Sequence, residues 1–310
     1  MAHFDIGAIV RDLHDARQQW RQAHRPAGEV RGIEFPSRDA LAEIVAQLKG
    51  VLFPMRLGPP GLRRESEDIH VAHALDSALH ALLRQVQIEL HYSAALQQRT
   101  DSDTASRALE ITQAFGAALP EVRMQVDSDV LAAYQGDPAA RSVDEVLLCY
   151  PGVLAMIHYR LAHRLYELGL PLLARIISEL AHAATGIDIH PGAKIGTGFF
   201  IDHGTGVVIG ETAVIGQRVR LYQAVTLGAK RFPTNADGSL QKGLPRHPIL
   251  EDDVVIYAGA TVLGRITIGK GAVIGGNVWL THDVPPGARV AQAASREEVF
   301  ESFGSSDAPS

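Results

Sequence analysis

Two short stretches of this chain gather side chains that can move protons or hold anions. One is Asp202-His203-Gly204-Thr205-Gly206, where an imidazole, the side-chain type best suited to proton transfer near neutral pH, stands beside a carboxylate in a glycine-rich turn. His203 can accept a proton near neutral pH while Asp188 or Asp202 orients its other nitrogen. A surface histidine in a flexible turn has the same composition. The second stretch runs over residues 228–255 and carries Lys230, Arg231, Lys242, Arg246 and His247 among glycine and proline. Arginine can grip a carboxylate or phosphate through two parallel hydrogen bonds, and lysine adds a point charge. An ordinary solvated loop also fits that charge pattern, although long insertions in compact domains lean towards function.

Both stretches interrupt a regular pattern. Aliphatic residues recur every sixth position at Ile189, Ile195 and Ile201, then at Ile209, Ile215, Leu221 and Leu227, and finally at Ile256, Val262, Ile268, Ile274 and Leu280. Period six matches neither an amphipathic helix nor an alternating strand. It fits a parallel β-helix of hexapeptide repeats, in which each short strand sends one aliphatic side chain inward before the chain turns a corner. Three anchors per turn make about four coils, enough for neighbouring coils to bury each other's faces. Eight residues replace six between Ile201 and Ile209, and the surplus lies in the Asp202–Gly206 segment.

The first 185 residues read as all-α, with helical periodicity over 4–23, 37–48, 68–96, 103–119, 121–134, 142–168 and 170–184. Pro151 suits the first turn of a new helix, and Thr185-Gly186 suits a helix end. The expected organisation is a helical domain at 1–185, a β-helix at 186–290 and a disordered tail at 291–310. Apolar residues make up 46% of the 310, enough for packed cores in about two domains. A net charge of −6 argues against nucleic acid or an anionic membrane as the main partner. No apolar run approaches the roughly 18 residues of a membrane span, and the N-terminus lacks a signal-peptide core, so a cytoplasmic location is expected. The single cysteine, Cys149, excludes an internal disulfide and a multi-thiolate metal site, and its apolar neighbours suggest a core position. His70, His73, His80 and His91 lie near one helix face and read as wet surface histidines rather than a metal stripe.

The ordered motifs Asp188-Ile189-His190-Pro191, Asp202-His203-Gly204-Thr205-Gly206, Gly210-Glu211-Thr212-Ala213, Val225-Thr226-Leu227-Gly228 and Arg246-His247-Pro248 resemble serine O-acetyltransferase. The likeness extends from Asp137-Pro138-Ala139 to about Arg289 and is far more specific than hexapeptide repeats alone, which mark only a broad acyltransferase superfamily. It implies a left-handed β-helix and transfer of acetyl from acetyl-CoA to the hydroxyl of L-serine, the first step from serine to cysteine, with no metal. His203 corresponds to the general base and Asp188 to its orienting partner. Asp137 and Asp202 correspond to groups near the serine amine and hydroxyl, Arg246 and His247 to groups near its carboxylate, and Glu211 to a further active-site acid; Glu211 also fits a capped turn. Gly228, Ala258 and Gly276 match positions along bound CoA.

The resemblance further implies a homotrimer or a dimer of trimers, with sites between neighbouring subunits. Many relatives end in an isoleucine that enters O-acetylserine sulfhydrylase. This chain ends Asp307-Ala308-Pro309-Ser310, so that C-terminal complex is not expected. The 229–245 loop is longer than in shorter relatives, and Val273 stands where some have lysine. Two other readings remain open. One is a hexapeptide acyltransferase with a different hydroxyl or amine acceptor. The other is a γ-type carbonic anhydrase, which would need three of His190, His203, His247 and His282 on zinc.

Overall fold

A computed structural model describes residues 4–23, 34–97 and 103–293, so the expected tail beyond 293 lies outside the described residues. Among the described residues eight α-helices come first: α1 (Ile6–Ala23), α2 (Arg38–Leu52), α3 (Pro54–Leu57), α4 (Glu67–Leu96), α5 (Thr104–Gly136), α6 (Val143–Cys149), α7 (Pro151–Glu167) and α8 (Pro171–Thr185). The two helices expected on either side of Pro120 are one. Proline removes a backbone donor and crowds the preceding turn, yet α5 continues through it. Its buried Phe115, Leu119, Val122 and Val126 lie on both sides of the proline and share one core with α4 and α7. Within the helical stretch expected over 142–168, Pro151 opens a new helix as expected: α6 ends at Cys149 and α7 begins at a position that needs no N–H. Gly186 closes α8 with φ 70°, the left-handed conformation that favours glycine. Cys149 is exposed rather than in the core, because it falls on the last turn of the short α6.

From Asp188 the chain winds through fourteen short parallel strands, numbered in chain order. The first sheet holds β1 (Asp188–Ile189), β4 (Val208–Ile209), β7 (Thr226–Gly228), β10 (Thr261–Leu263) and β13 (Trp279–Leu280). The second holds β2 (Lys194–Ile195), β5 (Val214–Ile215), β8 (Ile249–Leu250) and β11 (Thr267–Ile268). The third holds β3 (Phe200–Ile201), β6 (Arg220–Leu221), β9 (Val255–Ile256), β12 (Val273–Ile274) and β14 (Arg289–Val290). All twelve sequence anchors are buried in strands, stacked in register with their counterparts one coil away. The second interruption is shorter than the spacing suggested, since Leu250 in β8 is a thirteenth anchor and the beat resumes there.

Helix α7 belongs to two cores. Its Val153, Ile157 and Leu161 pack among helices, while Ala155, Met156 and Tyr159 pack against the first coil of the prism. A buried ion pair fixes that junction. Arg160 on α7 and Asp129 on α5 are 3% and 1% exposed, joined by hydrogen bonds of 3.1 and 3.0 Å. Arg160 also donates to the Ile195 and Gly196 carbonyls, and Asp129 accepts the Phe199 N–H at 2.9 Å. Burial pushes the Asp129 carboxyl up to about 6, while the charge and hydrogen bonds of Arg160 pull it the other way. Asp129→Asn leaves a buried guanidinium without its counter-charge. Unfolding free energy from urea titration should fall by about 3 to 5 kcal/mol, whereas an unchanged midpoint would mean that the pair does not hold the junction.

Candidate active site

Each turn of the prism has three corners, and the chemistry-bearing residues occupy two of them. Asp202 and His203 lie between β3 and β4, where the third sheet passes to the first. The surplus residues of this coil lift His203 outward: its side chain is 69% exposed, while Asp202 is 14% exposed with Oδ1 at 3.7 Å from His203 Nδ1. His203 adopts φ 59°, an uncommon left-handed conformation for a residue with a side chain. Gly204 N–H donates to the Asp202 carbonyl at 2.7 Å, and Gly206 N–H to the Gly186 carbonyl at 2.8 Å, so the loop backbone is pinned on both sides of the imidazole. Arg218, Ala224, Asp253 and Asn277 share the left-handed conformation of His203 at other corners of the prism, so it is a feature of the turns rather than of His203 alone.

The helical region delivers Asp137 to this same corner. Asp137 ends α5, accepts the Ala139 N–H at 2.8 Å and accepts the Tyr150 hydroxyl at 2.5 Å. The Tyr150 hydrogen bond, the Ala139 N–H and then the charges of His203 and Arg220 hold its carboxyl below the usual carboxylate range. Its hydrogen bond to Asp137 pushes the Tyr150 hydroxyl up to about 12. Asp137, Tyr150, Asp202 and His203 thus form an acidic, hydroxyl-bearing cluster with one projecting imidazole. One and two coils further along the same corner come Tyr222 and Tyr257, with rings stacked at 5.0 Å and 11°. Ala258 and Gly276 follow there, with the Asn277 N–H donating to the Ala258 carbonyl at 2.9 Å.

The second group occupies the corner between the first and second sheets. Glu211 accepts Arg246 Nη2 at 2.6 Å and the Tyr166 hydroxyl at 3.3 Å, and Tyr166 meets the His190 ring edge-on at 5.8 Å. Burial raises the Glu211 carboxyl, but the Arg246 hydrogen bond and the charge of His190 together carry it below its usual range. His247 is 6% exposed, and burial followed by the charge of Arg246 pushes it down to about 4, so it is neutral at pH 7. Its Nδ1 accepts the Thr212 N–H at 3.0 Å, which places its proton on Nε2. Gly210 makes room for that ring: a Cβ there would fall on the imidazole. Beside Arg246 the 229–245 loop roofs a cavity of about 300 Å³, lined by Lys230, Arg231, Arg265, Phe232 and Leu244 among others.

The structure therefore brings Asp137, Asp202 and His203 together on one corner, and Glu211, Arg246 and His247 together on another. Gly228 lies at the second corner, across the first sheet from Ala258 and Gly276. Asp188 opens β1 on the coil beneath the Asp202–Gly206 loop but makes no hydrogen bond or ion pair with His203. Its carboxylate instead lies with Glu179 and His182, their ligand atoms within 4.8 Å of one another, and Arg175 holds Glu179 at 2.6 Å. Among the described residues no three histidines converge as a histidine-bound zinc would require.

Tyr150, Tyr166, Thr212 and Gln223 also stand in these two groups, although the sequence motifs assign them no role. Gln223 is one coil from His203 on the same corner, and its Oε1 is buried without a partner. The twenty-residue offset from Asp202-His203 to Tyr222-Gln223 was a usable signal.

Residues 247–282 match the bacterial transferase hexapeptide (six repeats) family. The chain is 57% identical over 273 residues to a plasmid serine acetyltransferase of Synechococcus elongatus, covering 87% of this chain and 86% of that protein. It is 49% identical over 171 residues to the serine acetyltransferase of Bacillus licheniformis, covering 55% and 75%. Among solved structures, serine acetyltransferase isoform 3 of Entamoeba histolytica in complex with cysteine superposes with TM-score 0.70 at 33% identity, covering 96% of each chain. The Neisseria gonorrhoeae serine acetyltransferase in complex with serine gives 0.53 at 28% identity, covering 84% and 97%. The prism is the left-handed parallel β-helix of this repeat family.

His247 gives the site a pH signature. Its folded pKa, about 4, lies below the ordinary value, so its stabilising neutral state is complete above about pH 6.5 and is lost as pH falls through 4. Urea stability of the unmodified chain should therefore decline more steeply from pH 7.5 to 4.5 than that of His247→Gln, which carries no proton to gain. Parallel curves would show that burial does not hold this imidazole neutral.

Proposed function

The chain belongs to the serine acetyltransferase family and transfers acetyl to the hydroxyl of L-serine, and we propose that His203 is the general base of that transfer, within a site completed by two copies of the chain. The family's acetyl donor is acetyl-CoA. The observation that carries the reading is the pinned, outward-projecting His203 beside the carboxylates of Asp137 and Asp202.

Serine is a zwitterion with a hydroxyl that is a poor nucleophile at neutral pH. Asp137, kept ionised by Tyr150, and Asp202 supply negative charge for its ammonium. His203 takes the hydroxyl proton as the oxygen attacks the thioester carbonyl; the C–S bond then breaks, and the departing CoA sulfur takes that proton from the imidazolium, which restores the base. A positioned base of this kind contributes about 10²- to 10⁴-fold. Holding both substrates together makes a covalent acyl-enzyme unnecessary. Asp188 is proposed as the carboxylate that orients the imidazole, reached by a turn of the exposed His203 side chain, with Asp202 left to the substrate.

The serine carboxylate needs a cation, and Arg246 with neutral His247 as an N–H donor meets that need. Glu211 then serves to fix the Arg246 fork. These groups stand across the first sheet from His203, so one chain cannot close the site alone. A neighbouring copy that presents its Arg246 corner to the His203 corner would close it, as in a ring of three. The same pairing would place Gly228 of one copy opposite Ala258 and Gly276 of the next, forming a slot for CoA. The cations around the cavity beside Arg246 suit its phosphates.

His203→Ala should lower serine-dependent CoA release by about 10²- to 10⁴-fold with oligomer size unchanged. Asp188→Asn should lower kcat, while Asp202→Asn should chiefly raise KM for serine. Unchanged turnover of His203→Ala would overturn the base assignment, and a larger kcat effect at Asp202 than at Asp188 would exchange the two carboxylate roles.

A further inference from the structure

Two buried side-chain polar atoms among the described residues lack a hydrogen-bond partner: the Ser178 hydroxyl within α8, and Oε1 of Gln223 at the His203 corner. A buried acceptor without a donor is unfavourable, and at the edge of a site it marks where a partner belongs. The backbone around Gln223 is committed on both sides. Ala224 N–H donates to the Thr205 carbonyl at 2.8 Å, and Gly259 N–H donates to the Gln223 carbonyl at 3.0 Å. The side chain is not: no hydrogen bond among the described residues engages either end of its amide, so it can swing outward without giving up a partner.

The place of Gln223 says which donor is missing. Asp137, Tyr150 and Asp202 crowd His203 from the helical side, where the serine ammonium has its carboxylates. Away from the helices the corner runs on past Gln223 through Ala224, Ala258, Gly259 and Gly276, none with a side chain larger than methyl, beside the stacked rings of Tyr222 and Tyr257. A thioester that meets serine at His203 therefore trails its arm along this lane. In acetyl-CoA two methylene groups separate the sulfur from the first amide N–H, a span close to the coil spacing of about 4.8 Å. That N–H arrives one coil beyond the reacting carbonyl, where Gln223 stands. A neutral amide oxygen suits an uncharged N–H as carboxylates suit an ammonium. On the reading that His203 is the base, we propose that Gln223 is a donor-binding residue: its Oε1 accepts the amide N–H nearest the thioester sulfur and so holds the carbonyl against the serine oxygen.

Each partner of this hydrogen bond can be removed separately. The full chain is assayed with acetyl-CoA and with an analogue in which an ester oxygen replaces that N–H, alongside Gln223→Met, which keeps the side-chain length and loses the amide. With the unmodified chain the analogue should lower kcat/KM by about 3- to 10-fold. Gln223→Met should show a similar loss with acetyl-CoA, use the two donors equally, and keep both its KM for serine and its oligomer size. Gln223→Glu, which retains an acceptor, should still prefer the N–H. An unmodified chain indifferent to the analogue would overturn the proposal. A Gln223→Met chain that discriminates between the donors as before would overturn it too, since its loss would then be structural. Indifference with acetyl transfer intact would leave the role of His203 standing, whereas an unmodified chain unable to acetylate serine at all would fail both readings.

Discussion

One buried salt bridge determines how the helices and the prism face each other. Arg160 and Asp129 come from different helices, and each spends its remaining hydrogen-bonding capacity on backbone groups of the first coil: Ile195, Gly196 and Phe199. A buried charge is tolerable only when paired and fully bonded, so the junction admits one geometry. Ser128, next to Asp129, accepts the Gly198 N–H at 3.0 Å and extends the seam. Two turns further along α5 the helix ends at Asp137. The position of that carboxylate beside His203 is therefore a consequence of the clamp eight residues earlier.

The helices also cover an end of the sheet system that would otherwise be open. Strands β1, β2 and β3 are terminal in their sheets, and unpaired strand edges invite association with other chains. Tyr159 donates to the Ala193 carbonyl at 2.6 Å and His163 to the Pro191 carbonyl at 2.7 Å, so α7 satisfies backbone groups that no preceding coil can reach. Helix α8 is held in turn by Glu89 of α4, whose buried carboxylate accepts the Leu172 and Leu173 N–H groups at 2.8 Å. Charge at a helix N-terminus favours this contact, even as burial pushes that carboxyl upward.

The prism was legible because its physical rule is local: one inward aliphatic residue per strand at a fixed interval. Leu250 escaped notice because Arg246-His247-Pro248 made the whole stretch before Ile256 read as loop, though its six-residue distance from Ile256 was available. Motif residues such as Asp202 and His203 could be found one by one, but their grouping could not, since corners of a prism are shared by residues about twenty apart. Long-range pairs were least visible. Nothing near Arg160 marks it as buried, and its partner is 31 residues away. Tyr150 looked like a helix residue before Pro151, whereas its hydroxyl sets the ionisation of Asp137. Pro120 misled in the opposite direction, because tertiary burial on both sides of it overrode the local preference for a break.

A perfectly regular hexapeptide coil would present equivalent corners with every backbone group committed to the coils above and below. Reactive side chains need a departure from that regularity, and the chain makes one on each side of the first sheet. The small departure adds two residues around His203, whose left-handed backbone recurs at regular corners of the prism in Arg218, Ala224, Asp253 and Asn277, and leaves its ring exposed. The large one, before β8, returns to the prism through His247, whose ring occupies the space that Gly210 leaves open one coil below. A full sheet width separates the carboxylates of Asp137 and Asp202 from Arg246, so these opposite charges do not pair within one chain: Arg246 is held by Glu211, and Asp137 by Tyr150. On the roles proposed for these residues, each half would be completed by a second surface, and assembly and catalysis would be one property of this fold.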